Sequence, residues 1–218
     1  LTRWTDYQTT QSMRQRLNEE PFRSQSVHGE RDERLKLELE QHLAGISPEA
    51  FPVHQDLFSR ALQKNPNDAV IRDLFARYLL SQNKVDEAVK EWATVVKQVP
   101  SHLMAHYQRG SALAEIPTRA KEAEESLRRA LAIRPDTVDI TVALGKALYT
   151  QKRYQAALNE FEAALTLRPT ALEALLEASH ALVALGRKGD AIQRLEQAAK
   201  IAPTHSTIAT ELRELRGR

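Results

Sequence analysis

VDITVALGKALYTQKRYQAALNEFEAALTLRPTA, residues 138–171, holds two amphipathic helical patterns joined near residues 151–153. Leu144 and Gly145 fall on the first pattern. Ala157, Phe161 and Ala164 fall on the second, at the four- and three-residue spacings that share one helical face. Pro169 closes the unit, because a proline inside a helix removes a backbone donor and clashes with the preceding turn.

The same grammar extends in both directions. Pro66, Pro100, Pro135, Pro169 and Pro203 are separated by 34, 35, 34 and 34 residues. In that register Ala88, Ala123, Ala157 and Ala191 align, then Trp92, Leu127, Phe161 and Leu195, then Val95, Ala130, Ala164 and Ala198. The small residues let helices approach closely, and the large ones are expected to fill the gap between neighbouring units. On the first helices Ala76, Gly110, Gly145 and Ser179 align, each followed three residues later by Leu79, Leu113, Leu148 or Leu182. Glycine inside a helix costs about 1 kcal/mol relative to alanine, so Gly110 and Gly145 point to close packing.

A 34-residue helix-turn-helix with these columns resembles the tetratricopeptide repeat family. The resemblance is strong over residues 69–205, divided as 69–102, 103–137, 138–171 and 172–205. It implies an all-α fold, a right-handed superhelical array of antiparallel helix pairs. The family's usual tryptophan column is replaced by Arg72, His106, Thr141 and Leu175. The extra residue of the second copy is placed in the turn at 115–119, since a surface turn absorbs an insertion at little cost.

Outside those copies, residues 35–68 read as a degenerate fifth repeat, with Pro52 expected to delay its second helix. Residues 206–218 read as a capping helix carrying Ile208, Leu212 and Leu215. Residues 1–34 read as an N-terminal helix and connector. Residues 1–35 also resemble, through Arg16, Leu17, Pro21, Phe22, Gln25, His28 and Arg31, the joining region of bacterial proteins in which a lipase-like (SGNH/GDSL-type) hydrolase domain precedes a tetratricopeptide tail. That resemblance implies an accessory role beside an upstream catalytic domain of an extracytoplasmic hydrolase. The start at Leu1, without methionine or leader, reads as a fragment or processed chain.

Composition narrows the function. Of 218 residues, 42% are hydrophobic and 6% aromatic, and seven are glycine, which suits a helical protein. Thirty-one basic residues face 29 acidic ones without a separated basic block, which gives no footprint for nucleic acid. No run has the roughly 18 apolar residues of a membrane span. Cysteine is absent, which excludes disulfides and thiolate chemistry and leaves cytoplasmic and periplasmic locations both open.

No motif for catalysis stands out. His102 and His106 have the i,i+4 spacing of a helical ligand pair, but lack a third ligand nearby, and His102 falls in a predicted turn, so surface or capping roles are favoured over a metal. Glu122, Glu124 and Glu125 beside Arg128 and Arg129 read as a solvated helix face with i,i+4 pairs. Neither a phosphate-binding loop nor a serine elbow is present. The expectation is therefore a chain with no chemistry, metal or cofactor of its own.

The first helices of such an array line its concave surface. Asp73, Arg77, Met104, Tyr107, Ser111, Val142, Lys146, Tyr149, Leu176 and His180 are the candidate groove residues, with Val70, Asp139 and Glu173 close by. Tyr107 and Tyr149 offer aromatic contacts, while Arg77 and Lys146 offer cations for a ligand carboxylate. The expected partner is a protein or peptide. The family's carboxylate clamp is not matched by Asp73 with Arg77, Tyr107 with Ser111 or Val142 with Lys146. Its asparagine ladder is not matched by Leu74, Gln108, Ala143 and Glu177. Self-association through residues 1–43 is a further expectation.

Overall fold

The computed structural model describes residues 51–217, and the fold is all-helical over that span. The expected N-terminal helix, its connector, the first half of the degenerate repeat, the hydrolase-like segment and the self-association surface at 1–43 lie outside the described residues. Ten α-helices follow one another: α1 (Phe51–Lys64), α2 (Ala69–Ser81), α3 (Val85–Gln98), α4 (Leu103–Leu113), α5 (Ala120–Ile133), α6 (Val138–Thr150), α7 (Tyr154–Leu167), α8 (Leu172–Ala184), α9 (Lys188–Ile201) and α10 (Ser206–Arg216). No strand interrupts them among the described residues.

The chain divides into two compact units at Pro100 and Ser101. In the first, α2 and α3 form a hairpin and α1 packs on α2. Pro52 lies within the first described turn of α1. Asp68 caps α2, its carboxylate accepting from the Val70 and Ile71 amides at 2.9 and 3.0 Å. Phe58 of α1 meets Phe75 and Tyr78 of α2 with ring centroids 5.4 and 5.5 Å apart.

In the second unit α4–α5, α6–α7 and α8–α9 are hairpins, and each second helix also packs on the first helix that follows. The first helices α4, α6 and α8 are neighbours in turn, so they make one layer. The α10 helix rests on α9 as a half-repeat, with Ile208 buried in the register of the preceding first helices.

The columns read from sequence form the core. Every residue of the three second-helix columns is 0% exposed. The large residue, however, works inside its own hairpin: a Cβ on Gly110 would lie 2.5 Å from Leu127 Cγ, and one on Gly145 would lie 2.7 Å from Phe161 Cδ1. Real Cβ contacts do not come this close, so glycine is a condition of the helix spacing.

Three of the hairpin turns share one geometry. Asn83, Lys152 and Gly186 adopt left-handed φ of 59°, 61° and 74°. The next amide in each case donates back to the column leucine: Lys84 to Leu79 at 2.9 Å, Arg153 to Leu148 at 3.0 Å, Arg187 to Leu182 at 2.8 Å. The α4–α5 turn differs. The α4 helix has 11 residues where α6 and α8 have 13, and residues 114–119 replace a three-residue turn, which accounts for one extra residue. Ile116 donates to Leu113 and Arg119 to Ile116, and no left-handed residue occurs there.

Candidate functional site

The first-helix layer of the second unit, α4, α6 and α8 with α10 at its end, carries most of the polar residues singled out from sequence. Lys146 of α6 is the centre of one group. Its Nζ lies 2.6 Å from Glu115 Oε1 and 3.4 Å from Glu173 Oε1, while the two carboxylate side chains are 71% and 65% exposed. Burial would lower its proton affinity, but Glu115, Glu177 and Glu173 outweigh that cost and raise it, so the ammonium is firmly charged. A ligand carboxylate reaching Lys146 would have to displace two of the chain's own.

Tyr107 of α4 stands half-buried beside this group. Burial, then the negative charges of Asp139 and Glu173, raise its hydroxyl pKa against the pull of Lys146. Asp139 itself accepts from Arg168 at 2.8 Å. Met104 and Ser111, both on α4, are exposed, and Tyr149 packs edge-on against Tyr154 of α7 at 5.1 Å. Leu176 is half-buried.

His180 of α8 closes the row. Its Nε2 is 3.1 Å from Glu211 Oε1 of α10 and its Nδ1 is 3.5 Å from Glu177 Oε2. The hydrogen bond to Glu177, then that to Glu211 after the opposing cost of burial, raises the imidazole from 6.5 to about 9. At neutral pH the ring is therefore an imidazolium.

Two expected groove residues are interior. Asp73 is 3% exposed, and its Oδ1 accepts from the Trp92 indole N–H at 2.8 Å within the α2–α3 hairpin. Val142 is also 3% exposed, because α6 has α4, α5, α7 and α8 around it. Arg77 is half-buried on α2 and belongs to the first unit.

The remaining candidates are structural. His102 caps α4, its Nδ1 accepting from the Ala105 amide at 3.1 Å, and His106 is buried one turn on. No group of three or more His, Asp or Glu residues suited to a metal occurs among the described residues. Glu124 makes the expected i,i+4 pair with Arg128 at 2.9 Å, yet it is not a solvated face. It also accepts from Arg153 at 2.8 Å and Gln151 at 3.0 Å, which ties the α4–α5 hairpin to the next one. Glu122 likewise joins Arg109 and Arg119. Among the described residues, no helix is long and apolar enough to cross a membrane.

Stacked helix hairpins with a mixed polar and aromatic first-helix layer define a helical-repeat protein. The sequence comparisons name the repeat. Tetratricopeptide repeat family models match residues 74–138, 118–172 and 148–214, and the chain belongs to the tetratricopeptide repeat family. No curated protein sequence matches it.

Similar solved structures share the fold at low identity. A thermophilic TPR protein of Thermus thermophilus is 19% identical, with a TM-score of 0.63 over 86% of this chain and 98% of that one. YrrB, a TPR protein with an unusual peptide-binding site, is 19% identical, with a TM-score of 0.64 over 80% and 84%. MamA from Desulfovibrio magneticus is 18% identical, with a TM-score of 0.69 over 82% and 99%.

Proposed function

We propose that the chain is a non-catalytic scaffold whose first-helix layer in the second unit binds an extended protein segment carrying basic side chains. The observation that carries this reading is the charge of the layer. Among the described residues, the five acids Glu115, Asp139, Glu173, Glu177 and Glu211 outnumber the three cations that meet them, Lys146, Arg168 and His180. Glu115, Asp139 and Glu173 are more than half exposed, so each can exchange an internal pair for an incoming lysine or arginine. Tyr107 and Met104 supply apolar contact at the edge of the same layer. The peptide-binding site of YrrB supports a peptide as the class of partner. The repeat frame of this reading is 69–102, 103–137, 138–171 and 172–205.

The test uses two fluorescein-labelled decapeptides, alternating Lys-Ala and alternating Glu-Ala, titrated against the chain at low and high salt. The Lys-Ala peptide is expected to bind at low salt and the Glu-Ala peptide not to bind. The double substitution Glu115→Gln and Glu173→Gln should weaken binding about three- to tenfold, the scale of two partly exposed ion pairs. Equal affinity for both peptides, or no change in the double variant, would defeat this reading.

A further inference from the structure

The C-terminal helix α10 is attached by little apolar burial. Ile208 is its one fully buried side chain, and Leu212 and Leu215 remain half-exposed. Two polar contacts add to it. Arg216 pairs with Glu196 of α9, and Glu211 reaches past α9 to His180 of α8. The second contact is the unusual one, because His180 has a carboxylate at each ring nitrogen.

A neutral imidazole has one N–H and one lone pair. Placed between two carboxylates it can donate to only one, and its lone pair then faces the other negative charge. Only the doubly protonated ring satisfies Glu177 and Glu211 together. Losing the proton therefore does more than weaken one hydrogen bond: it leaves Glu177 and Glu211 without the cation that separates their charges.

We propose that protonated His180 is the latch that holds α10 on the last hairpin, and that α10 is released when the ring loses its proton. The surrounding groups leave this role to His180. From α6, Lys146 and Tyr149 act on Glu177. On α7, Glu162 pairs with Arg194 and Glu160 is under the charges of Arg128 and Glu124; on α9, Asp190 pairs with Arg187 and Glu196 with Arg216. Glu211 is the group of α10 that meets the ring. The ring's proton affinity is raised on folding, from 6.5 to about 9, so the latch is complete below about 6.5 and is lost as pH rises through about 9.

The experiment follows the full chain by NMR from pH 6 to pH 10.5. It reads the His180 ring, the Ile208 methyls and amide protection over residues 207–215, corrected for intrinsic exchange. In the parent, the Ile208 signals should move with the same midpoint as His180, near 9, and protection of α10 should fall at least about tenfold. Glu177→Gln removes a partner on the ring's own helix. It should shift both midpoints down together while α10 stays docked at pH 6.

Glu211→Gln removes the bond between helices and should leave α10 less protected already at neutral pH. Glu196→Gln should leave the His180 midpoint in place. The proposal is overturned if the Ile208 signals stay flat while His180 titrates, or if Glu177→Gln moves the His180 midpoint without moving that of α10. Loss of protection in α6 and α7 at the same midpoint would also overturn it, since that reports unfolding of the whole unit.

Discussion

The hairpin α2–α3 and the hairpin α6–α7 solve the same packing problem with different residues. In α6–α7 the large residue is Phe161, which has no polar atom, and the first helix yields a glycine, Gly145, to admit it. In α2–α3 the large residue is Trp92, facing a first helix that carries Ala76 at the equivalent position. Its indole N–H must be satisfied once buried, and Asp73 does this at 2.8 Å. The position of Asp73 is held in α6 by Val142, also buried. In these two hairpins a position that belongs to the groove by register is drawn into the core, and its polarity there follows the polarity of the large residue.

The largest expected effect breaks the polar solution. Asp73→Ala leaves a buried indole N–H without its acceptor and should destabilise the first unit by about 1–3 kcal/mol. Trp92→Phe in the same chain should recover part of that loss, because the orphaned donor is gone. The non-additive part of this double-mutant cycle, measured by hydrogen exchange in α2 and α3, is expected to exceed about 1 kcal/mol. Strict additivity of the two changes would show that the bond contributes nothing to the hairpin.

A smaller effect tests the apolar solution. Gly145→Ala recovers about 1 kcal/mol of helix propensity but drives a methyl into Phe161, an overpacking that costs typically about 1–3 kcal/mol. Three Phe161 ring carbons within 2.8 Å of the added methyl put the cost at the upper end, about 2–3 kcal/mol, so the net result should be a loss of about 1–2 kcal/mol in urea unfolding followed by circular dichroism. Phe161→Leu should make the alanine tolerable, since Leu195 sits opposite Ser179 in the last hairpin. A Gly145→Ala protein as stable as its parent would mean that the helices move apart freely.

These two hairpins also show which parts of the molecule the sequence makes legible. Columns such as Ala157, Phe161 and Ala164 repeat in every copy, so their burial follows from periodicity alone. Asp73 and Val142 do not follow from it. A first helix such as α6 touches four others, so a residue at the border of its apolar stripe can face a groove or a neighbour, and spacing does not distinguish the two. The charges are harder still. Glu124 pairs within its helix as expected, but its bonds to Gln151 and Arg153 span 27 and 29 residues and depend on how adjacent hairpins are rotated. Lys146 is legible as a groove cation, while its two carboxylate partners emerge only when three helices are assembled.

The smallest effect concerns the turns, where the α6–α7 hairpin is the less well suited of the two. Its left-handed residue is Lys152, at φ 61°, where α2–α3 has Asn83 and α8–α9 has Gly186. A side chain with a Cβ pays roughly 1–2 kcal/mol in that conformation, asparagine less, and glycine none, although glycine loses about 0.5–1 kcal/mol of additional chain entropy on folding. The balance predicts that Lys152→Gly stabilises the second unit by about 0.5–1 kcal/mol, that Asn83→Gly is close to neutral, and that Gly186→Lys reverses the gain. The backbone bond from Arg153 to Leu148 stays in place, so a rise in urea midpoint with an unchanged denaturant slope would assign the gain to the turn itself. A changed slope would instead point to the unfolded chain, and equal responses at positions 83 and 152 would show that the lysine at this turn carries no strain.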